Sequence, residues 1–227
     1  MISLESSSTA WIALRLSLQV SLLATLCVAI AGGLLGYLLT RFQFPGRDLV
    51  DAVITLPLVL PPTVVGFYLL ILFGHNGLIG RSLYAATGWT LIFTWQAAVI
   101  AATVMALPLM VKTTRAALES VDPLYLKAAY TLGQSPLQTL FRVWLPLAWK
   151  GILAGIVLSF ARALGEFGAT LMIAGNIPGV TQTMPMAIYD AVQAGNDQLS
   201  LILVVILSSI SMMVLMLTNY LGRQGLF

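Results

Sequence analysis

Charge is what this sequence has least of. Of its 227 residues only 8% are Asp, Glu, Lys or Arg, against about 25% in a typical soluble domain. Apolar residues make up 59%, and the mean hydropathy is +0.96. A core of this size cannot hide that many apolar side chains, so lipid must be the solvent for much of the surface. Histidine occurs once, as His75, which excludes a metal centre needing two histidines from one chain. Cysteine occurs once, as Cys27 in an apolar run, which excludes an intramolecular disulfide. No Ser-His-Asp or Cys-His set can be assembled near a buried site, so no catalytic residues are expected. A nucleotide-binding loop is also missing: Lys112-Thr113 follows Val111, where such a loop needs glycine. The opening MISLESSSTAW lacks a basic segment, so no cleavable signal peptide is expected.

What remains is a set of long apolar runs. Five stand out, near residues 11–39, 49–73, 90–111, 145–174 and 199–221. Each exceeds the ~20 residues needed to cross a bilayer. The chain therefore reads as an all-α polytopic membrane protein, one transmembrane domain over 1–227 with about five spans. Eight of its eleven Lys and Arg residues fall on one side if 41–48, 112–150 and the C-terminus share that side. Positive residues favour the cytoplasm, which places the N-terminus outside and the C-terminus inside. Topology thus accounts for the net charge of +3 without nucleic acid as a partner. Trp11, Trp89, Trp95, Trp144 and Trp149 lie near span ends, as an interfacial belt would.

The apolar text is interrupted at residues 119–143, centred on LKAAYTLGQSPLQTLFRVWLP (126–146). Asp122 suits an N-cap and Pro123 a first helical position. Gly133 suits a left-handed C-terminal cap, after which Ser135-Pro136 repeats the start signal. The helix between them has about ten residues and rises ~15 Å, too short to cross. It is apolar for a surface helix, with Lys127 its only charge after Asp122. An interfacial helix would carry a basic face; a helix that docks in a partner's groove need not.

Two further features sit inside the runs. Leu-Pro-Leu occurs at 56–58, 107–109 and 145–147, and Leu60-Pro61-Pro62-Thr63 adds a double break to the second run. Proline there invites kinks, which are either tolerated by neighbours or used to shape a pathway. Arg162 and Glu166 stand at i and i+4 near the middle of the fourth run, flanked by Gly165 and Gly168 and followed by Thr170. They can neutralise each other as a salt bridge. Alternatively, Arg162 attracts an anion while Glu166 limits its stay, and no tight site exists. The loop holding Pro178, Thr181, Gln182 and Thr183 reads either as solvated or as a contact for an external protein.

The interruption resembles a known motif. Ala128-Ala129, three residues, Gly133, nine residues, then Val143-Trp144-Leu145-Pro146 is similar to the cytoplasmic loop of importer permeases of the ATP-binding cassette type. In that family the pattern is Glu-Ala-Ala, three residues, Gly, nine residues, Ile, any residue, Leu-Pro; Lys127 stands here for Glu and Val143 for Ile. LPLVLPPTVVGFYLLILFG (56–74) and FARALGEFGATLMIAGNIPGVTQTMPMAIYDAVQAG (160–195) resemble the molybdate branch, with sulfate and thiosulfate permeases close relatives. The resemblance covers nearly the whole chain. It implies a type I importer (MetI-like) permease fold and a homodimer in the plasma membrane. It also implies two ATPase subunits that hold ATP and magnesium on the cytoplasmic side, and an external oxyanion-binding protein. This chain would carry no cofactor. Asp122, Pro123, Lys127, Ala128, Ala129, Gly133 and Pro136 become coupling residues, and Pro61, Pro62, Thr63, Arg162, Gly165, Glu166, Gly168 and Thr170 pathway or gate candidates.

Overall fold

The computed structural model describes residues 2–223, with side chains described for 9–217. Among the described residues the chain is helical, in the order α1 (Ile2–Arg41), α2 (Arg47–Val59), α3 (Pro62–Phe73), α4 (Leu78–Thr87), α5 (Trp95–Glu119) and α6 (Pro123–Thr131). It continues through α7 (Pro136–Thr139), a π-helical turn (Leu140–Trp144), α8 (Leu145–Leu164), α9 (Gly168–Ala174), α10 (Met184–Gln193) and α11 (Asp197–Arg223). Among the described residues four helical stretches are long and apolar enough to cross a membrane: Thr9–Arg41, Trp95–Glu119, Pro136–Leu164 and Asp197–Leu217. A fifth crossing is available only as the pair α2 and α3, which bend by 116° at their break.

Helix α5 is the centre. Ala97, Ala98, Ala101, Ala102, Met105 and Ala106 are buried along it, and α1 and α8 pack on it. Lipid supplies no hydrophobic drive between helices, so close backbone approach must hold them. Small residues permit it: Gly32 and Gly36 of α1 meet Met110 and Thr114, while Gly151 and Gly155 of α8 meet Ala117 and Thr113. A second close contact joins α3 to α9, where a side chain on Gly66 would begin 2.7 Å from Met172 Cβ and 2.8 Å from Ala169 Cα.

The prolines act unequally. Helix α2 runs through Pro57 and α5 through Pro108. The double break at Pro61-Pro62 instead ends one helix and starts another, because Pro62 takes a first-turn position where its missing N–H costs nothing. The third Leu-Pro-Leu adjoins the π-helical turn. Pro146 cannot donate to the carbonyl of Arg142, and the Leu145 N–H reaches back to the Leu140 carbonyl.

Three expectations change. The run 145–174 is not one span: α8 stops at Leu164 and α9 starts at Gly168. Gly165 and Gly168 favour helix weakly, and a carboxylate between them does better at a helix start than inside one. The gaps between the second and third runs and between the fourth and fifth are not plain loops, since they contain α4 and the half-buried α10. Trp144 does not sit in an interfacial belt. Its ring is buried, and its indole N–H donates to the Leu118 carbonyl at 2.9 Å.

Gly66→Val should push α3 off α9, at a cost of about 1–3 kcal/mol. A lower apparent melting temperature in detergent is expected; an unchanged one would contradict this contact.

Candidate coupling surface and broken-helix site

The interruption folds as its local signals direct. The Asp122 carboxylate accepts the Leu124 N–H at 2.8 Å, and Pro123 occupies the first turn of α6. Gly133 adopts φ +79. There the Gly133 N–H donates to the Tyr130 carbonyl and the Gln134 N–H to the Ala129 carbonyl, at 3.0 and 3.1 Å. This paired closure leaves the helix end satisfied and needs a left-handed residue, the reason for glycine. Ser135 and Gln138 then cap each other's backbone N–H groups, and Pro136 opens α7.

Helix α6 lies with Leu126 against a cluster of Leu118, Val121, Leu140, Trp144 and Ala148. Ala129 is buried, while Lys127 and Ala128 are exposed, so the paired alanines divide between an inner and an outer face. Leu124, Tyr125 and Leu132 are exposed as well, Leu132 to 82%. A short helix, capped at both ends and anchored through one face, thus offers an apolar outer face beside the ends of α5 and α8. Tyr37 of α1 stacks edge-on against Trp144, bringing a third long helix to the same point.

The second site is where the two broken helices meet. A Cβ on Gly168 would lie 3.0 Å from Pro62 Cβ and 3.3 Å from the Thr63 nitrogen. The breaks at Leu60–Pro61 and at Gly165–Phe167 are therefore neighbours, although a hundred residues separate them. Arg162 Nη1 donates to Glu166 Oε2 at 2.7 Å, and Glu166 Oε1 accepts the Ala169 N–H at 2.9 Å. One carboxylate thus neutralises the end of α8 and caps the start of α9. Glu166 is 2% exposed and Arg162 29%. The guanidinium keeps donors to spare, and Gly165 is exposed, as are Pro61, Pro62 and Thr63. Thr170 is buried against the core. Of the eight pathway candidates, the structure brings Pro62, Thr63 and Gly168 into one contact and Arg162, Glu166 and the α9 N-terminus into another.

The loop after α9 turns inward. Thr181 Oγ1 accepts the Ile177 N–H and donates to the Gly175 carbonyl, and Gln182 Nε2 donates to Asp190 Oδ2 at 2.6 Å. Asn176 Nδ2 reaches the other oxygen of Asp190 at 2.7 Å. Thr181, Gln182 and Thr183 are buried; of the four contact candidates Pro178 alone is exposed. The loop is not solvated along its length: Asp190 of α10 draws Asn176 and Gln182 inward, and Thr181 bonds to the loop's own backbone.

An ionic cluster joins α2 to α5. Asp51 of α2 accepts Lys112 Nζ at 2.6 Å and Arg115 Nη1 at 2.8 Å, while Glu119 stands 3.6 Å from Arg115 and 3.8 Å from Arg47. It ties the first half of the bent pair to α5 at the end nearest α6. The spacing of Lys112, Arg115 and Glu119 on one helix was its only signal, and the partner helix could not be read from it.

Residues 13–224 match the family described as the binding-protein-dependent transport system inner membrane component. This chain belongs to that family. The permease is 46% identical to the molybdenum transport system permease of Escherichia coli K12, over 94% of this chain and 93% of that one. It is 41% identical to that of Haemophilus influenzae, over 93% of each. It is 38% identical to a sulfate transport system permease of Salmonella typhimurium, over 80% of this chain and 65% of that one. Among solved structures it resembles a chain of a bacterial ABC transporter for alginate import, with TM-score 0.78 and 16% identity over 100% and 83% of the two chains. It also resembles a chain of the methionine ABC transporter in inward-facing form, with TM-score 0.70 and 18% identity over 97% and 96%. The permease therefore has the type I importer fold, and it is a multi-pass inner-membrane subunit rather than an enzyme.

Glu166→Gln keeps an acceptor for the Ala169 N–H but leaves Arg162 without its counter-charge. Breaking a buried pair costs about 3–5 kcal/mol, and less here because Arg162 retains some exposure. A fall in the yield of monodisperse protein is expected, with recovery in the double variant Arg162→Gln/Glu166→Gln. A wild-type yield from Glu166→Gln alone would contradict a structural pair.

Proposed function

We propose that the permease is the membrane-spanning half of an ATP-driven importer for molybdate or the closely similar tungstate. It works as a homodimer with two ATPase subunits on the cytoplasmic face, which hold ATP and magnesium, and an external binding protein that delivers the anion. The observation that carries this reading is identity of 46% to a molybdenum permease across nearly the whole of both chains. Sulfate or thiosulfate is the second reading, favoured by the 38% relative over a shorter stretch. A channel or secondary carrier acting alone would leave the apolar outer face of α6 without a purpose.

In this reading the N-terminus is outside, the C-terminus is cytoplasmic, and α6 seats in a groove of the ATPase. Movement of α6 is carried by Leu126 into the Trp144 cluster and so into α5 and α8. Helix α8 ends at the Arg162–Glu166 pair, and α5 holds α2 through Asp51. Both broken helices are thereby attached to the elements that α6 moves. Coupling residues are Asp122, Pro123, Lys127, Ala128, Ala129, Gly133 and Pro136. The gate is the meeting of Pro61, Pro62 and Thr63 with Gly165, Glu166 and Gly168, with Thr170 packed behind. Arg162 offers the passing anion a weak positive contact, because Glu166 already occupies its strongest donor. A pathway that held the anion tightly would not release it. Pro178 lies in the exposed part of the outer loop, 177–180, open to the binding protein; Thr181, Gln182 and Thr183 are buried behind it.

Proteoliposomes holding the permease with its ATPase, supplied with loaded binding protein, should accumulate labelled molybdate only with ATP inside the compartment that the ATPase faces. Excess sulfate should not compete. Uptake displaced by sulfate would shift the substrate to the second reading, and uptake without ATP would refute the importer.

A further inference from the structure

One cleft of about 470 Å³ belongs to neither site described above. It is lined by Trp11, Arg15 and Gln19 of α1, Trp95 at the start of α5, and Gly179 and Val180 of the outer loop. Arg15 and Gln19 are exposed, one helical turn apart. Among the described residues no carboxylate lies within ion-pair distance of Arg15.

Its depth can be read along α1. From Leu38 back to Gln19 the helix rises ~30 Å, the thickness of a bilayer's hydrocarbon core. Over that length the exposed face is an apolar stripe of Leu22, Leu26, Ile30, Leu34 and Leu38. The stripe gives way at its upper end to Gln19, then Arg15, then Trp11. A cation flanked by two indoles at that level stands among headgroups, in the leaflet opposite α6.

We propose that this cleft binds the phosphate of a phospholipid, whose acyl chains run down the α1 stripe. Arg15 supplies the charge, Gln19 a second hydrogen bond, and Trp11 and Trp95 the walls. Charge and shape favour this occupant over a second copy of the chain. Between residues 6 and 47 the sequence holds no Asp or Glu, so a two-fold partner presenting the same face would meet Arg15 without a counter-charge. Continuity with a lipid-facing stripe favours it over the transported oxyanion, which would have no use for ~30 Å of apolar surface.

The test is retention of phosphatidylglycerol by the delipidated permease–ATPase complex, read by native mass spectrometry. A headgroup contact by one Arg is worth ~1 kcal/mol, so Arg15→Gln should lower retention about fivefold, and Arg15→Lys should restore most of it. Equal retention by wild type and Arg15→Gln overturns the proposal. Displacement of the lipid by molybdate from the wild type also overturns it and assigns the cleft to the transported anion. Should Arg15→Gln fail to assemble, phosphatidylglycerol with a photoactivatable chain can be cross-linked to the wild-type complex. Adducts at Leu22 or Leu26 support the site; adducts confined to other helices, or none on α1 because a second copy covers it, overturn it.

Discussion

The indole of Trp144 is where this molecule is held together mechanically. Its N–H reaches the Leu118 carbonyl at the end of α5, and its ring meets Tyr37 of α1 edge-on. Leu126 of α6 packs on the same cluster. A buried indole N–H needs a partner, and here the partner lies on another helix, so satisfying it also fixes how α8 meets α5. The π-helical turn that carries Trp144 lies just before α8. Pro146 has no N–H to return to the Arg142 carbonyl, and such turns recur at functional positions in helices.

Rigidity is distributed unevenly around that point. Helices α1, α5 and α8 interlock through glycine and alanine, which allow backbones to approach where lipid gives no hydrophobic push. Elsewhere the path from α6 crosses breaks: α2 to α3 at Pro61, and α8 to α9 at Gly165–Phe167. Charge anchors the segment before the first break and spans the second. Asp51 binds α2 to α5, and Glu166 binds the end of α8 to the start of α9. Charge pairs of this kind hold a geometry without the shape complementarity of a packed core; the partly exposed pairs of Asp51 can be exchanged at modest cost, whereas the Glu166 carboxylate is buried. Solid helices joined by ionic hinges suit a protein that must change which side is open.

Much of this was legible in the residues. Asp122-Pro123, Gly133 and Ser135-Pro136 predict α6 and its turn because caps act within a few residues of backbone. The double proline at 61–62 predicts a break for the same local reason. The pairing of Arg162 with Glu166 follows from a spacing of four. What sequence periodicity could not convey was anything that depends on a distant partner. Gly165 and Gly168 fall inside an apolar run that reads as one span, yet they bracket a break, and Pro62 and Thr63 lie against Gly168. The polar loop at 178–183 reads as solvated or as a contact for an external protein, yet Asp190 folds most of it inward. Trp144 reads as interfacial until Leu118 is seen beside it. Asp51 gives no sign along the chain that Lys112 and Arg115 await it.

The central claim is that motion of α6 reaches the membrane through Trp144. The most direct measurement is the ratio of molybdate uptake to ATP hydrolysis in proteoliposomes carrying Trp144→Phe, which keeps a ring but loses the N–H. The account expects hydrolysis to continue while uptake per ATP falls several-fold. Uptake and hydrolysis that stay at wild-type levels, or decline in proportion, would contradict it.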